Sequence, residues 1–265
     1  METGILLKEI RGKVGILTLN RPEKRNSLTV ELLIELNKAM REWADDDTVR
    51  VVVITGSGDK SFSSGFDVLS IPTSLTEEIK EFLKDGNPVE VALNNVKNFP
   101  KPTIAMLNGY AFGAGFNLAI CCDIRVGADD IRMGMPPAKL GLVYHPEGLK
   151  QMIEVLGMAR TREALFTGRT YSGAEVKEMG FVNHLVPRSE LSTFTFALAE
   201  EIASNAPLSL IGTKRILNML SNRMSLTEEE LKEVVLLTAK AFNSEDIKEG
   251  QMAFVQKRKP NFKGR

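Results

Sequence analysis

The chain has 265 residues, a hydrophobic fraction of 43%, and 34 Lys+Arg balanced by 34 Asp+Glu; that is enough for one principal domain with a smaller attachment and too little for several independent ones. A net charge of zero gives no global attraction to nucleic acid or an anionic membrane, and no apolar run is long enough to span a bilayer. The only cysteines, Cys121 and Cys122, are adjacent in an apolar pattern, and the two histidines, His145 and His184, belong to no ligand-like cluster, so neither a disulfide nor a transition-metal site is expected.

The opening stretch METGILLKEIRGKVGILTLN lacks the pattern of a signal peptide, which favours a cytoplasmic protein, and its alternation suits strand structure. Residues 13–20 predict a strand. Leu32, Leu33, Leu36, Ala39, Met40 and Trp43 then recur at helical spacing over 29–44. VRVVVITG and TIAMLNG are continuously apolar runs ended by glycine, the signature of parallel strands covered on both faces. Between them, 70–99 predicts a helical hairpin. Small residues open a helix after 111, a short strand follows at 123–127, and helices are predicted near 148–157 and 159–166. SGAEVKEMG reads as a further short helix and FVNHLV as a last strand.

Beyond Pro187 the composition changes to helices over 188–205, 207–221, 226–242 and 245–257. The expected organisation is an α/β core over residues 1–190 and a helical region over 191–265. The face formed by Leu231, Val234, Val235, Thr238 and Ala241 is broader than a free appendage needs, and points to packing against the core and other subunits. The basic end QKRKPNFKGR is either a solvated terminus or a reach toward an anionic ligand.

Two glycine turns are candidates for chemistry: SFSSGFD at 61–67 and NGYAFGAGFNLA at 108–119. The second opens a helix, whose first N–H groups lack intrahelical acceptors and sit at the positive end of the dipole. If the N–H groups of Phe66 and Ala114 converge, they form a two-donor hole for a developing oxyanion. Glycine pairs also serve tight packing, and the sequence contains neither a dinucleotide fingerprint nor a phosphate loop.

The ordered set NRPEKRNSL (20–28), FSSGFD (62–67), KPTIAMLNGYAFGAGFNLAICCD (101–123), PPAKLG (136–141) and the closing RKPNF resembles the crotonase, or enoyl-CoA hydratase/isomerase, family over essentially the whole chain. The resemblance implies a spiral of ββα units followed by a helical trimerisation region, assembled as a trimer or as a hexamer of two trimers. It implies acyl-CoA thioesters as substrates, with coenzyme A entering as part of the substrate and no tightly bound cofactor. Carried onto this chain, the oxyanion donors are the backbones of Phe66 and Ala114. The CoA end is expected near Lys24 and Arg25, with backbone contacts from Ser64 and Val68 and with Asp67 fixing the loop.

Two departures bear on mechanism. The glutamates that serve hydratases as acid and base are replaced by Asn117 and Pro137, neither of which titrates usefully. The remaining proton-handling groups lie in YHPE: Tyr144 as a donor to a substrate carboxylate, His145 as a base, and Glu147 as a second base or as the group that orients the histidine. Each is also compatible with a plain turn, a packed ring or an exposed helix start. Tyr144 and the closing QKRKPNFKG further resemble the methylmalonyl-CoA decarboxylase branch, which has a histidine where this chain has Phe66. The sequence therefore predicts a family enzyme, a lyase or isomerase, that works through an oxyanion-stabilised enolate without the two-glutamate mechanism. Decarboxylation and silent CoA binding remain the alternatives.

Overall fold

A computed structural model describes residues 4–67, 77–84, 86–221 and 227–262. The chain begins with β1 (Leu6–Arg11) antiparallel to β2 (Val14–Leu19). Helix α1 (Val30–Ala44) follows, started by Thr29, whose hydroxyl accepts from the N–H of Leu32 at 3.2 Å. Its buried face carries the six residues whose spacing predicts it.

From there the chain repeats one move: a strand in a large sheet, a strand in a small sheet, then helix. β3 (Val51–Gly56) and β4 (Ser61–Ser63) lead to α2 (Glu77–Lys84) and α3 (Pro88–Lys97). β5 (Thr103–Leu107) and β6 (Tyr110–Phe112) lead to α4 (Ala114–Cys121). β7 (Ile124–Ala128) and β8 (Arg132–Gly134) lead to α5 (Pro146–Thr167). β9 (Thr170–Ser172), α6 (Gly173–Glu178) and β10 (His184–Val186) complete the α/β part. The large sheet has the order β1-β2-β3-β5-β7-β10 and is parallel from β2 onward; the small sheet has the order β4-β6-β8-β9. All six residues of β3 are buried, as expected of a strand covered on both faces.

Two details differ from the sequence reading. α5 starts at Pro146, two residues before the expected 148, and consists of two helical segments that meet at a kink at Gly157 (φ 71°, ψ 166°), in keeping with the two helices read near 148–157 and 159–166. The last strand is confined to 184–186: the N–H of Phe181 turns back to the carbonyl of Val176, and the N–H of Arg125 is taken by the side chain of Asn183 at 2.9 Å rather than by a strand carbonyl. Among the described residues no helix is long and apolar enough to cross a membrane.

From Leu191 onward the described elements are helices: α7 (Leu191–Ser204), α8 (Pro207–Ser221), α9 (Glu228–Phe242) and α10 (Glu245–Val255). α7 buries Thr195, Ala199 and Ala203 and packs against β3, β5 and β7. α8 is tied down by polar groups. The buried ammonium of Lys214 donates to Asp123 at 2.6 Å and to the carbonyl of Lys101 at 3.0 Å, and Asp123 also accepts from the N–H and hydroxyl of Thr103. α10 returns to pack on the turn Pro137–Leu140.

Removing Asp123 leaves a buried cation with one carbonyl partner. Asp123→Ala is expected to lower unfolding stability by about 2–4 kcal/mol, measured by urea denaturation, with the loss reduced in the double variant Asp123→Ala/Lys214→Met.

Candidate active site

The loop after β4 is placed by a parallel bridge. Leu28 donates to the carbonyl of Gly65 at 2.8 Å and accepts from the N–H of Asp67 at 2.9 Å. In that pattern the residue between, Phe66, directs its own N–H and carbonyl away from Leu28. Gly65 adopts φ +99°, and a Cβ there would lie 2.7 Å from the carbonyl oxygen of Phe112 and 3.4 Å from the nitrogen of Ala114. Gly115 is equally constrained: a Cβ would meet the carbonyl of Ser63 at 2.6 Å. The loop and the start of α4 are therefore in direct backbone contact, which only glycine allows.

Ala114 is the first residue of α4, and its N-cap, Gly113, has no side chain to cap it. Neither the amide of Phe66 nor that of Ala114 donates to another described residue. Two N–H groups without an acceptor among the described residues thus lie on neighbouring backbone segments, that of Ala114 at a helix N-terminus, an arrangement suited to an anionic oxygen.

The sequence-predicted CoA residues lie on the same loop system. Ser64 donates its N–H to the carbonyl of Arg25 at 3.0 Å and its hydroxyl to that of Lys24 at 3.4 Å. Lys24 and Arg25 are exposed, in a turn where Arg25 has φ 52°. Asp67 accepts from the hydroxyl of Ser27 at 3.3 Å and lies 3.5 Å from the guanidinium of Arg21. Val68 lies outside the described residues.

Beside α4 a polar seam joins α3 to α5. Glu90, Asn94 and Lys97 lie at i, i+4 and i+7 of α3, so they share one face. Each meets a partner on or next to α5. Glu90 Oε1 is 3.3 Å from His145 Nδ1; Asn94 Oδ1 accepts from Gln151 Nε2 at 3.0 Å; Lys97 Nζ donates to Glu154 at 2.8 Å and is 3.9 Å from Glu147. Gln151 Oε1 in turn accepts from Asn117 Nδ2 at 2.6 Å and from the Cys121 thiol at 3.2 Å. Asn117 is fully buried.

His145 is the N-cap of α5: its Nδ1 accepts from the N–H of Gly148 at 3.1 Å. Burial pushes its pKa down to about 4, and raises that of Glu90, with Glu147 adding repulsion. Although 3.3 Å would suit an ion pair, both shifts favour a neutral acid beside a neutral imidazole. Burial also raises the Tyr144 phenol, which stays protonated. Its ring lies against His145 at a centroid distance of 4.4 Å. Asn117 Oδ1, the Tyr144 hydroxyl and His145 Nε2 are buried with no partner among the described residues.

The structure thus brings Tyr144 and His145 together beside the helix that carries Asn117, and ties Lys24, Arg25, Ser64 and Asp67 to the loop of Phe66. It does not pair Glu147 with His145. Glu147 lies toward Lys97, and the carboxyl beside the imidazole is Glu90. Sequence reasoning missed Glu90, Asn94, Lys97 and Gln151. The available signal was a polar i, i+4, i+7 row in α3 interleaved with buried Val89, Leu93 and Val96. No group of three or more described His, Cys, Asp or Glu residues is placed to hold a metal ion.

Comparison with known proteins gives a consistent picture. The family profile described as enoyl-CoA hydratase/isomerase matches residues 9–265. The chain is 32% identical to the short-chain-enoyl-CoA hydratase of Clostridium acetobutylicum over 271 residues, covering 100% of both. It is 34% identical to the (E)-benzylidenesuccinyl-CoA hydratase of Thauera aromatica, covering 97% of this chain and 98% of that one. Among solved structures, methylmalonyl-CoA decarboxylase in complex with 2S-carboxypropyl CoA superimposes with a TM-score of 0.90 at 27% identity, covering 100% of both chains.

The His145 shift has a sign that can be tested. An unfolded histidine takes its proton near 6.5 and the folded one near 4, so its contribution to stability is complete above the unfolded value and is lost as pH falls between them. Urea unfolding is expected to show that acid limb, and His145→Gln to shrink it by on the order of 2 kcal/mol.

Proposed function

The chain belongs to the enoyl-CoA hydratase/isomerase family, and on that footing we propose that this acyl-CoA enzyme removes CO2 from a short 2-carboxyacyl-CoA thioester. The observation that carries this reading is a buried phenol at Tyr144 with no partner among the described residues, its pKa raised by burial; the family resemblance adds that the two customary glutamates would fall at Asn117 and Pro137. C–C cleavage needs no base. The bond between Cα and the carboxylate breaks, its electron pair forms the enolate, and the negative charge moves to the thioester oxygen. The N–H groups of Phe66 and Ala114 are the donors for that oxygen.

Tyr144 supplies one neutral hydrogen bond to the carboxylate. That contact holds the breaking bond across the carbonyl plane without adding a cation that would stabilise the ground state. Lys97, the nearby ammonium, is engaged by Glu154 and Glu147. Asn117, linked to Gln151, offers its Oδ1 as an acceptor. The CoA moiety fits the exposed turn of Lys24 and Arg25, joined to the site through Ser64 and Asp67. The neighbour structure of methylmalonyl-CoA decarboxylase with carboxypropyl CoA supports this substrate class.

A second reading, hydration or double-bond isomerisation, is favoured by the raised pKa of Glu90, which suits a general acid or base, and by the names of the curated relatives. The two separate in a substrate panel. Methylmalonyl-CoA is expected to release CO2 while crotonyl-CoA hydrates feebly, and Tyr144→Phe is expected to slow CO2 release on the order of 10- to 100-fold. Efficient crotonyl-CoA hydration with no CO2 from methylmalonyl-CoA would establish the second reading instead.

The helical region fits assembly as a trimer, or a hexamer of two trimers. Leu208, Phe242 and Phe254 are 83%, 64% and 75% exposed, with Leu231, Val235 and Leu236 also open, more apolar surface than an isolated protomer usually leaves in water. Multi-angle light scattering is expected to give a mass of three or six chains; a stable monomer at micromolar concentration would contradict this.

A further inference from the structure

Glu90 is the carboxyl that the family-derived site does not include, and its surroundings are specific. From α3 it faces His145 Nδ1 at 3.3 Å, and that nitrogen already accepts from the N–H of Gly148. Nδ1 is therefore unprotonated, its one lone pair shared between the Gly148 N–H and whatever Glu90 donates, and the ring proton of the neutral imidazole sits on Nε2, which is buried with no partner among the described residues. A lone pair and an ionised carboxylate at 3.3 Å repel; a carboxylic acid at the same place donates. The geometry asks for one proton between them. The other groups around His145 are Tyr144, whose ring lies against it, Cys121 of α4 near that phenol, Lys97 of α3, and Glu147 of α5.

We propose that Glu90 and His145 form a proton relay that protonates the enolate carbon: Nε2–H delivers its proton to Cα as Glu90 passes its own to Nδ1. The step balances. The enolate gains one proton and becomes the neutral thioester, the imidazole stays neutral with its hydrogen moved from Nε2 to Nδ1, which gives up the Gly148 N–H, and Glu90 is left as a carboxylate; the resting state returns when solvent delivers a proton to Nε2 and Nδ1–H passes its own back to Glu90. In reverse, the ionised Glu90 with Nδ1–H leaves Nε2 free to remove a proton from Cα. His145 is the catalytic residue in this scheme; Glu90 acts through it. The rise in the Glu90 pKa and the fall in that of His145 agree with the resting state of the relay.

The inference rests on the enolate chemistry proposed above, although not on which step creates the enolate. The test is exchange of the α-hydrogens of propionyl-CoA in D2O, followed by mass spectrometry, because this saturated thioester reports enolate formation without CO2 loss or hydration. Wild-type enzyme is expected to exchange, with a rate that rises with pH through the ionisation of the pair. Glu90→Gln and His145→Gln are each expected to lose on the order of 100-fold or more and to lose that pH limb, and the double variant to be no worse than either single. Glu90→Asp, which stays ionisable, is expected to keep part of the exchange that Glu90→Gln loses. Equal loss in both, accompanied by equal loss of stability, would mark a structural role and overturn the relay. Wild-type-like exchange by Glu90→Gln overturns the relay alone, whereas absence of exchange by the wild type overturns the enolate reading with it.

Discussion

The bridge between Leu28 and the 65–67 segment is the constraint on which the site depends. It occupies the polar groups that flank Phe66 and leaves those of Phe66 directed away from Leu28. Two glycines then allow the loop and the start of α4 to meet backbone to backbone. A methyl group at Gly115 would meet the carbonyl of Ser63 at 2.6 Å and force the segments apart. The ββα spiral supports this arrangement because it sets successive loops of the small sheet side by side.

A second constraint is the seam between α3 and α5. Buried polar groups are costly unless each finds a partner. The seam meets that condition along most of its length, with Lys97 held by Glu154, Asn94 by Gln151, and Gln151 by Asn117. At the His145 end the pairing stops. Asn117 Oδ1, the Tyr144 hydroxyl and His145 Nε2 keep unspent hydrogen-bonding capacity, and the two groups that titrate there are both pushed toward their neutral forms. Neutral, unpaired polar groups of this kind suit the proposed reaction, in which charge leaves a carboxylate and gathers on a thioester oxygen.

The C-terminal helices serve two purposes. α7 and the buried part of α8 close the large sheet, through Thr195, Ala199 and the Lys214–Asp123 pair, while α10 packs on the turn that carries Pro137. The same helices leave Leu208, Phe242 and Phe254 open. The exposed apolar side chains thus lie in the same helical region as the element that packs on the turn preceding Tyr144 and His145.

Much of the fold was legible in the sequence, because buried parallel strands such as VRVVVITG and the amphipathic run of α1 declare themselves by local period. The ordered motifs also specified the family and drew attention to the two glycine turns. What the sequence left open was which polar groups meet. His145 and Glu147 are neighbours in the chain, and sequence reasoning coupled them. A helix start, however, sends consecutive residues in different directions, and Glu147 turns toward Lys97. The carboxyl that reaches His145 comes from 55 residues upstream, on a helix that only the spiral brings alongside. Local period determined the elements and the chemistry available to them; tertiary packing alone decided the direction in which each buried group's titration is pushed, since burial and nearby charge depend on contacts between segments far apart in the chain.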